Sequence, residues 1–332
     1  MLVNREATVS HLILTTNHLA AATLRQTKLA NIALGFCMRF VFGQLPSAEQ
    51  LLMELERRSA KHCNPGDHWL DEVCRDWLEG FGTRDIGFLE LCAKFDSIEV
   101  WIDPQPNDQL VLVWLLDLLR PYKEITTKLS LVHTDDSVAD YAAESVAKWK
   151  LPAFEVADDH LVMASRAWRA YRAETPKSCF DLLMTDLMIF PRLRSALIAL
   201  LEELPDKVTG LGASEMDMLG CVNEGHTDPK YISEARWYRD VFEEGEASDA
   251  LIALAEHSAP PVLLGDPAFD NEDRYFGRSE WRVTLTELGR SLVAREDDLW
   301  RHNPIKRWWG GTELTNERLW RWDRETRLLI AP

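Results

Sequence analysis

The sequence predicts an α/β protein: a mostly parallel sheet flanked by helices, then a helical region, then a winged-helix-like α+β domain ending in a Trp-rich hairpin. Three observations carry this. Over residues 1–150 short apolar runs alternate with segments of helical period, the pattern of crossover units on a parallel sheet. Residues 151–204 form a helical region expected to pack on that sheet. Residues 205–332 then run helix, helix, helix, strand, turn-rich loop, strand, and five of the 13 tryptophans fall in the last 33 residues.

Element by element, "VSHLILTT" reads as a first, buried parallel strand because its apolar run is continuous. "NHLAAATLRQTK" follows as a helix, with Asn17 at its N-cap. "FCMRFVFG" reads as the second strand. "SAEQLLMELERRSAKH" is a helix opened by a capping box from Ser47 to Gln50, and two more helical stretches are expected between 67 and 94. "SIEVWID" is the third strand. "NDQLVLVWLLDLLRPY" is a helix stopped by Pro121, "TKLSLVHTDD" the fourth strand and "SVADYAAESVAKWK" the next helix. Residues 158–204 read as successive helices, the clearest being "FPRLRSALIALLEELP". Beyond Gly210, "GASEMDMLGCVNEG" gives a short helix with Ser214 as its expected cap. "EASDALIALAEHSAPPVLL" gives a helix and a strand. "WRVTLTELGRSLVARE" gives a strand, a cap at Thr286 and a helix. The loop "GDPAFDNEDRYFGRSE" would be the wing.

Composition narrows the function classes. The chain has 332 residues, 46% of them apolar, and a formal net charge of -17. Such a surface repels polyanions unless a basic patch overrides it. No basic segment followed by an apolar run opens the chain, so no secretory signal is expected. No uncharged apolar stretch is long enough to suggest a membrane span. Six cysteines without a CxxC pair suit reduced thiols in a cytoplasmic protein.

Open parallel sheets bind ligands beyond the carboxyl ends of their strands. Three expected strand ends are polar: Thr15, Thr16 and Asn17; Asp103 with Asn107, Asp108 and Gln109; and His133 with Thr134, Asp135 and Asp136. Exposed helix-start amides there would suit an anion, and His133 or Asp135 would serve as a proton acceptor. Helix capping is nonetheless the plainer account of Asn17, Asn107 and Asp135 or Asp136. No glycine fingerprint follows the first strand, so no dinucleotide cofactor is expected, and no other cofactor is indicated. His62, Cys63 and His68 in "AKHCNPGDH" are metal-binding types, but no second cluster matches them, so no metal is expected. There is no GxSxG or HExxH, and Cys179 reads as a buried thiol rather than a nucleophile.

Residues 205–300 hold 21 acidic against 9 basic residues, and the expected third helix of the winged unit, "SDALIALAEHS", has no lysine or arginine. DNA binding is therefore disfavoured, with "YFGRSEWR" in the wing as its remaining source of arginines. Residues 301–332 reverse the sign, with seven basic and four acidic residues. "LWRWDRETRLLI" alternates as strand, turn and returning strand, with Trp320 and Trp322 on one side and Arg321 and Arg324 outward. Gly310 and Gly311 permit a tight bend ahead of it. Trp308 and Trp309 cannot both face inward from one strand. Indoles bury large areas for one hydrogen bond. A structural clasp, with its basic groups pairing internally, is expected over a base-stacking platform.

Four stretches together resemble bacterial proteins carrying the domain of unknown function 1835: "HLILTTNHLAAATLRQ", "IEVWIDPQPNDQLVLVWLLDLL", "GLGASEMDMLGCV", and "VTLTELGRSLV" with "IKRWWGGTEL…LWRWD". Asp108 and Gln109 match that family's helix-opening pair. Thr15, Thr16 and Asn17 stand where the family has a Gly-Asp-Ser-like turn. The resemblance implies an α/β domain followed by a winged-helix-like one and supplies no reaction. The leading expectation is a module that binds a small polar or anionic ligand at Thr15, Thr16, Asn17, Asp103, Asp108 and Gln109, or that engages a protein partner or a second copy of itself. Two alternatives stand beside it: a hydrolytic or phosphate-transferring enzyme in the same crevice, and a ligand-responsive regulator contacting DNA.

Overall fold

The computed structural model describes residues 10–71, 85–234, 241–265 and 282–332. The chain divides into two compact units, one of residues 1–40, 46–169 and 187–192, the other of 41–45, 170–186 and 193–332.

The first unit is built on a five-stranded sheet of order β2-β1-β3-β4-β5. Its strands are β1 (His11–Thr15), β2 (Ile32–Gly35), β3 (Ser97–Ile102), β4 (Leu129–His133) and β5 (Ala153–Glu155). The first four are parallel, and β5 joins β4 antiparallel. Side chains alternate between the two faces. Ile13, Ala33, Trp101 and Val132 share one face and pack with Ala20 and Leu24 of α1 (His18–Thr27) and with Val146 of the one-turn helix α6 (Ala143–Val146). Leu12, Leu14, Val100 and Leu131 point the other way and are 0% exposed, so both faces are covered. Burying each such side chain contributes about 1.5–3 kcal/mol.

The remaining elements of this unit are α2 (Ala48–Leu55), α3 (Phe88–Ala93), α4 (Pro106–Leu119), α5 (Lys123–Thr126) and the start of α7 (Asp158–Tyr171). Pro106 occupies the first position of α4, where its missing N–H costs nothing. Nearly every α4 residue is buried, which explains an apolar sequence without an amphipathic period. Asp117, in its last turn, accepts a hydrogen bond from Ser165 of α7, and Ser165 accepts one from Arg120 at 3.2 Å.

Several sequence expectations shift. The second strand is Ile32–Gly35, not residues 36–43. Phe36 and Phe40 are instead buried in an aromatic loop, with ring contacts to Trp114 at 5.7 Å each. The Ser47–Gln50 capping box is present, but α2 ends at Leu55 because Glu56 is extended. The 137–150 helix breaks into a 3-10 turn (Val138–Asp140) and α6, since Ser137 and the Val138 amide bond to Asp103 instead. Of the stretches expected between 67 and 94, α3 is present and residues 72–84 lie outside the described residues.

The second unit holds α8 (Lys177–Leu182), α9 (Leu193–Glu202), α10 (Ala213–Asn223), α11 (Pro229–Glu234) and α12 (Glu244–Ala255). Antiparallel hairpin β6–β7 (Val262–Leu264, Val283–Leu285), α13 (Glu287–Val293) and α14 (Leu299–His302) follow. Two more hairpins end the chain: β8–β9 (Lys306–Trp309, Thr312–Thr315) and β10–β11 (Arg321–Asp323, Leu328–Ile330). Thr286 caps α13 as expected. The cap of α10 is Gly212, while the Ser214 hydroxyl donates to Glu203 at 2.7 Å. The expected wing falls almost wholly on residues 266–281, outside the described residues.

The Trp-rich ending is a clasp within this unit. Trp309 donates from Nε1 to the Leu200 carbonyl and Trp300 to that of Gly210, both at 2.6 Å. Trp322 is 1% exposed, and its strand continues onto residues 205–207 through Trp322 N to Pro205 O and Lys207 N to Trp322 O. Arg321 and Arg324 do not point outward. Arg321 pairs with Asp298 at 2.6 Å, and Arg324 lies 3.9 Å from the fully buried Asp206 carboxylate. Arg307 pairs with Glu215 at 2.8 Å. Arg307, Arg321 and Arg324 thus pair with acids of their own unit.

Candidate functional site

The chain enters the sheet at β1, moves to β2 on one side, then returns to lay β3 on the other. That reversal falls between β1 and β3, and the crevice outside the carboxyl ends of two such strands is the usual ligand position in this strand order. Because β1, β3 and β4 are adjacent and parallel, all three polar strand ends lie along one edge of the sheet.

Thr15 is 0% exposed and sits in register between Gly35 and Trp101. Its Oγ1 and that of Thr16, 3% exposed, are buried without a hydrogen-bond partner. Asn17 accepts from the Leu19 amide at 2.8 Å and the Ala20 amide at 3.4 Å, so it caps α1 and occupies amides that an anion would need. Gly35 permits this close approach: a Cβ there would lie 2.6 Å from the Asn17 carbonyl.

Asp103 is fully buried and accepts from Thr134 Oγ1 at 2.9 Å, Ser137 Oγ at 3.0 Å and the Val138 amide. Burial raises its pKa, and those three donors oppose the rise. It ties β3 to the segment after β4. Asn107 is likewise structural, accepting from the Phe40 amide at 2.9 Å and donating to the Met38 carbonyl at 3.0 Å. Asp108 is buried in the first turn of α4 and already has an interaction of its own. Gln109 donates from Nε2 to the Asp103 carbonyl at 2.9 Å, while its Oε1 is buried and unpartnered.

The third strand end divides. His133 follows Leu131 and faces away from Thr15 across the sheet, by the alternation of the paired strands. Its imidazole is half-buried, its Nδ1 has no partner, and burial, then His160 and Arg192, hold its pKa down. Asp135 is exposed and pairs with Arg192 at 2.6 Å. Asp136 accepts from the Tyr141 hydroxyl at 2.8 Å. Of the two proposed proton acceptors, His133 alone has a buried, unpaired basic atom.

Past the end of β2 lies a cavity of about 220 Å³ that sequence reasoning missed. Phe36, Phe40, Leu51 and Trp69 give it apolar walls, and Glu54 and His68 add polar ones. No expected ligand-binding residue lines it. Its sequence signal was the aromatic spacing of "FCMRF", read as a strand. His68 is committed to structure: Nε2 bonds the Glu56 carbonyl at 2.9 Å, and Nδ1 lies 3.2 Å from both the Leu70 amide and Arg58. His62 likewise bonds the Met53 carbonyl and the Ser59 amide through its two nitrogens. Cys63 is exposed, and Cys179 is buried, with its pKa raised by that burial.

No family model and no curated protein matches the sequence. Among solved structures, the DNA-binding, cleavage and re-ligation domain of Plasmodium falciparum topoisomerase II is similar over 97% of this chain and 54% of that one, so the chain spans about half its length. The identity is 10% and the TM-score 0.34, too low to carry a functional argument.

Proposed function

We propose that the α/β unit binds a small polar molecule at the carboxyl ends of β1 and β3. One observation carries this reading: Thr15 Oγ1 and Thr16 Oγ1 at the end of β1, and Gln109 Oε1 in the first turn of α4 just after β3, are buried and unpaired. A buried polar atom without a partner costs about 1–3 kcal/mol. A ligand that both donates and accepts would relieve that cost. A neutral polar ligand fits better than an anion, because Asn17 occupies two α1 amides and Asp103 and Asp108 are buried nearby in the chain. Thermal shift of the wild type and of Thr15→Val/Thr16→Val against small neutral and charged polar compounds tests this. A compound that stabilises the wild type and not the variant supports the reading. Equal shifts in both proteins, or none in the wild type, contradict it.

A second reading, proton transfer on the sheet face opposite Thr15, is favoured by His133, whose half-buried imidazole has an unpartnered Nδ1 and a pKa lowered by burial. DNA contact is not proposed, since Arg307, Arg321 and Arg324 face carboxylates of their own unit. The order α10, α11, α12, β6, β7 supports a winged-helix-like reading of the second unit, and with the α/β unit it supports kinship with the domain-1835 proteins. A cytoplasmic setting agrees with Cys37, Cys63, Cys92, Cys179 and Cys221 being thiols rather than disulfides. Among the described residues no helix is long and apolar enough to cross a membrane.

A further inference from the structure

The cavity beyond β2 has a chemistry of its own. Glu54 lines it from the last turn of α2, where the helix dipole disfavours a carboxylate and the turn itself holds no basic residue. The Glu54 carboxylate has no hydrogen bond or ion pair among the described residues. Burial and then the nearby Asp67 charge push its pKa up. Asp67 itself accepts from the Asn64 amide at 2.7 Å, so it stays in place as a second negative charge. Arg39 also lines the cavity and already has an interaction of its own. The bound His68 ring offers no free nitrogen.

The aromatic walls are held by contacts of their own. Phe36 meets Phe88 at 5.3 Å, Phe40 meets Trp168 at 4.9 Å, and Trp69 meets Phe88 at 5.5 Å. Trp69 donates from Nε1 to the Ile86 carbonyl at 3.2 Å, and Asn107 pins the Met38–Phe40 backbone. Aromatic rings beside an unpaired carboxylate attract an organic cation through both the ring quadrupole and the charge. The volume suits a single ring, since an apolar cavity of roughly 150 Å³ accepts benzene.

We propose that the Phe36–Trp69 cavity binds a small organic ammonium ion, with Glu54 as its counter-charge and the aromatic side chains as its walls. This site is separate from the Thr15–Gln109 crevice and stands or falls independently of it. Half-buried Cys37 lines the cavity and exposed Cys63 does not, so alkylation by iodoacetamide, mapped by mass spectrometry, locates binding. The probes are benzylammonium, benzyl alcohol and benzoate, which share a ring and differ in charge. Benzylammonium should slow Cys37 alkylation by about fivefold relative to Cys63, benzyl alcohol less, and benzoate not at all. Glu54→Gln should reduce benzylammonium protection to that of benzyl alcohol, while Thr15→Val/Thr16→Val leaves it unchanged. Calorimetry with the same three probes on the wild type gives the affinity order without any variant. Equal protection by benzoate, undiminished protection in Glu54→Gln, or no heat and no protection with benzylammonium would overturn the proposal.

Discussion

Asp323 ends β10 with its carboxylate 2.9 Å from Lys207 Nζ. Lys207, then the hydroxyl and amide of Thr326, hold its pKa down at about 2. An unfolded aspartate titrates near ~3.9, so the native state binds fewer protons between those values. The resulting stability is fully present above about pH 4 and is lost as the pH falls towards 2. Asp323→Asn should therefore melt below the wild type at pH 6, and the gap should close by about pH 2. A gap independent of pH would mean that the ion pair does not hold the clasp. Asp103 shows the reverse sign. Burial raises its pKa, so its ionised form opposes folding, and the Thr134, Ser137 and Val138 donors offset that. Sequence reading placed Asp103 at a strand end correctly but could not reveal that its oxygens are taken up by residues more than thirty positions away.

At the scale of elements, Gly310 and Gly311 join β8 to β9. Gly310 has φ +51, and a Cβ on Gly311 would lie 2.0 Å from the Arg172 carbonyl oxygen, which is backbone and cannot swing aside. Gly311→Ala should cost about 2–3 kcal/mol in urea unfolding, the scale of an overpacked core. A loss below about 0.5 kcal/mol, typical of a surface change, would show that the hairpin is not seated there. Elements with strong local signals were legible: β1, β3 and β4 from their apolar runs, α4 from its length, α2 from its capping box. The misses have physical causes. Phe36 and Phe40 look strand-like, yet their rings serve an aromatic loop. β5 consists of three exposed residues on a sheet edge and leaves no burial pattern to read. Arg321 and Arg324 alternate outward in the sequence, but buried Asp206 and the nearly buried Asp298 draw them in, a pairing visible only once the chain has folded.

At the scale of the whole molecule, strand order decides the site. Parallel pairing of β1 with β3 and of β3 with β4 brings the three polar ends to one edge, yet strand alternation sends His133 to the face opposite Thr15. The strand ends were readable from hydropathy. Their division by face depends on register, and the cavity beside Glu54 depends on how loops close over the sheet; neither has a local signal. The central claim is that the fold keeps buried hydroxyls unpaired at the β1–β3 crevice in order to bind. Valine has nearly the shape of threonine and carries no hydroxyl, so removing these two groups should help the ligand-free protein. The measurement is equilibrium urea unfolding of the wild type and of Thr15→Val/Thr16→Val with no added compound. The variant should be more stable by about 1–2 kcal/mol; stability equal to or below that of the wild type would show that these hydroxyls are not left unpaired at a cost.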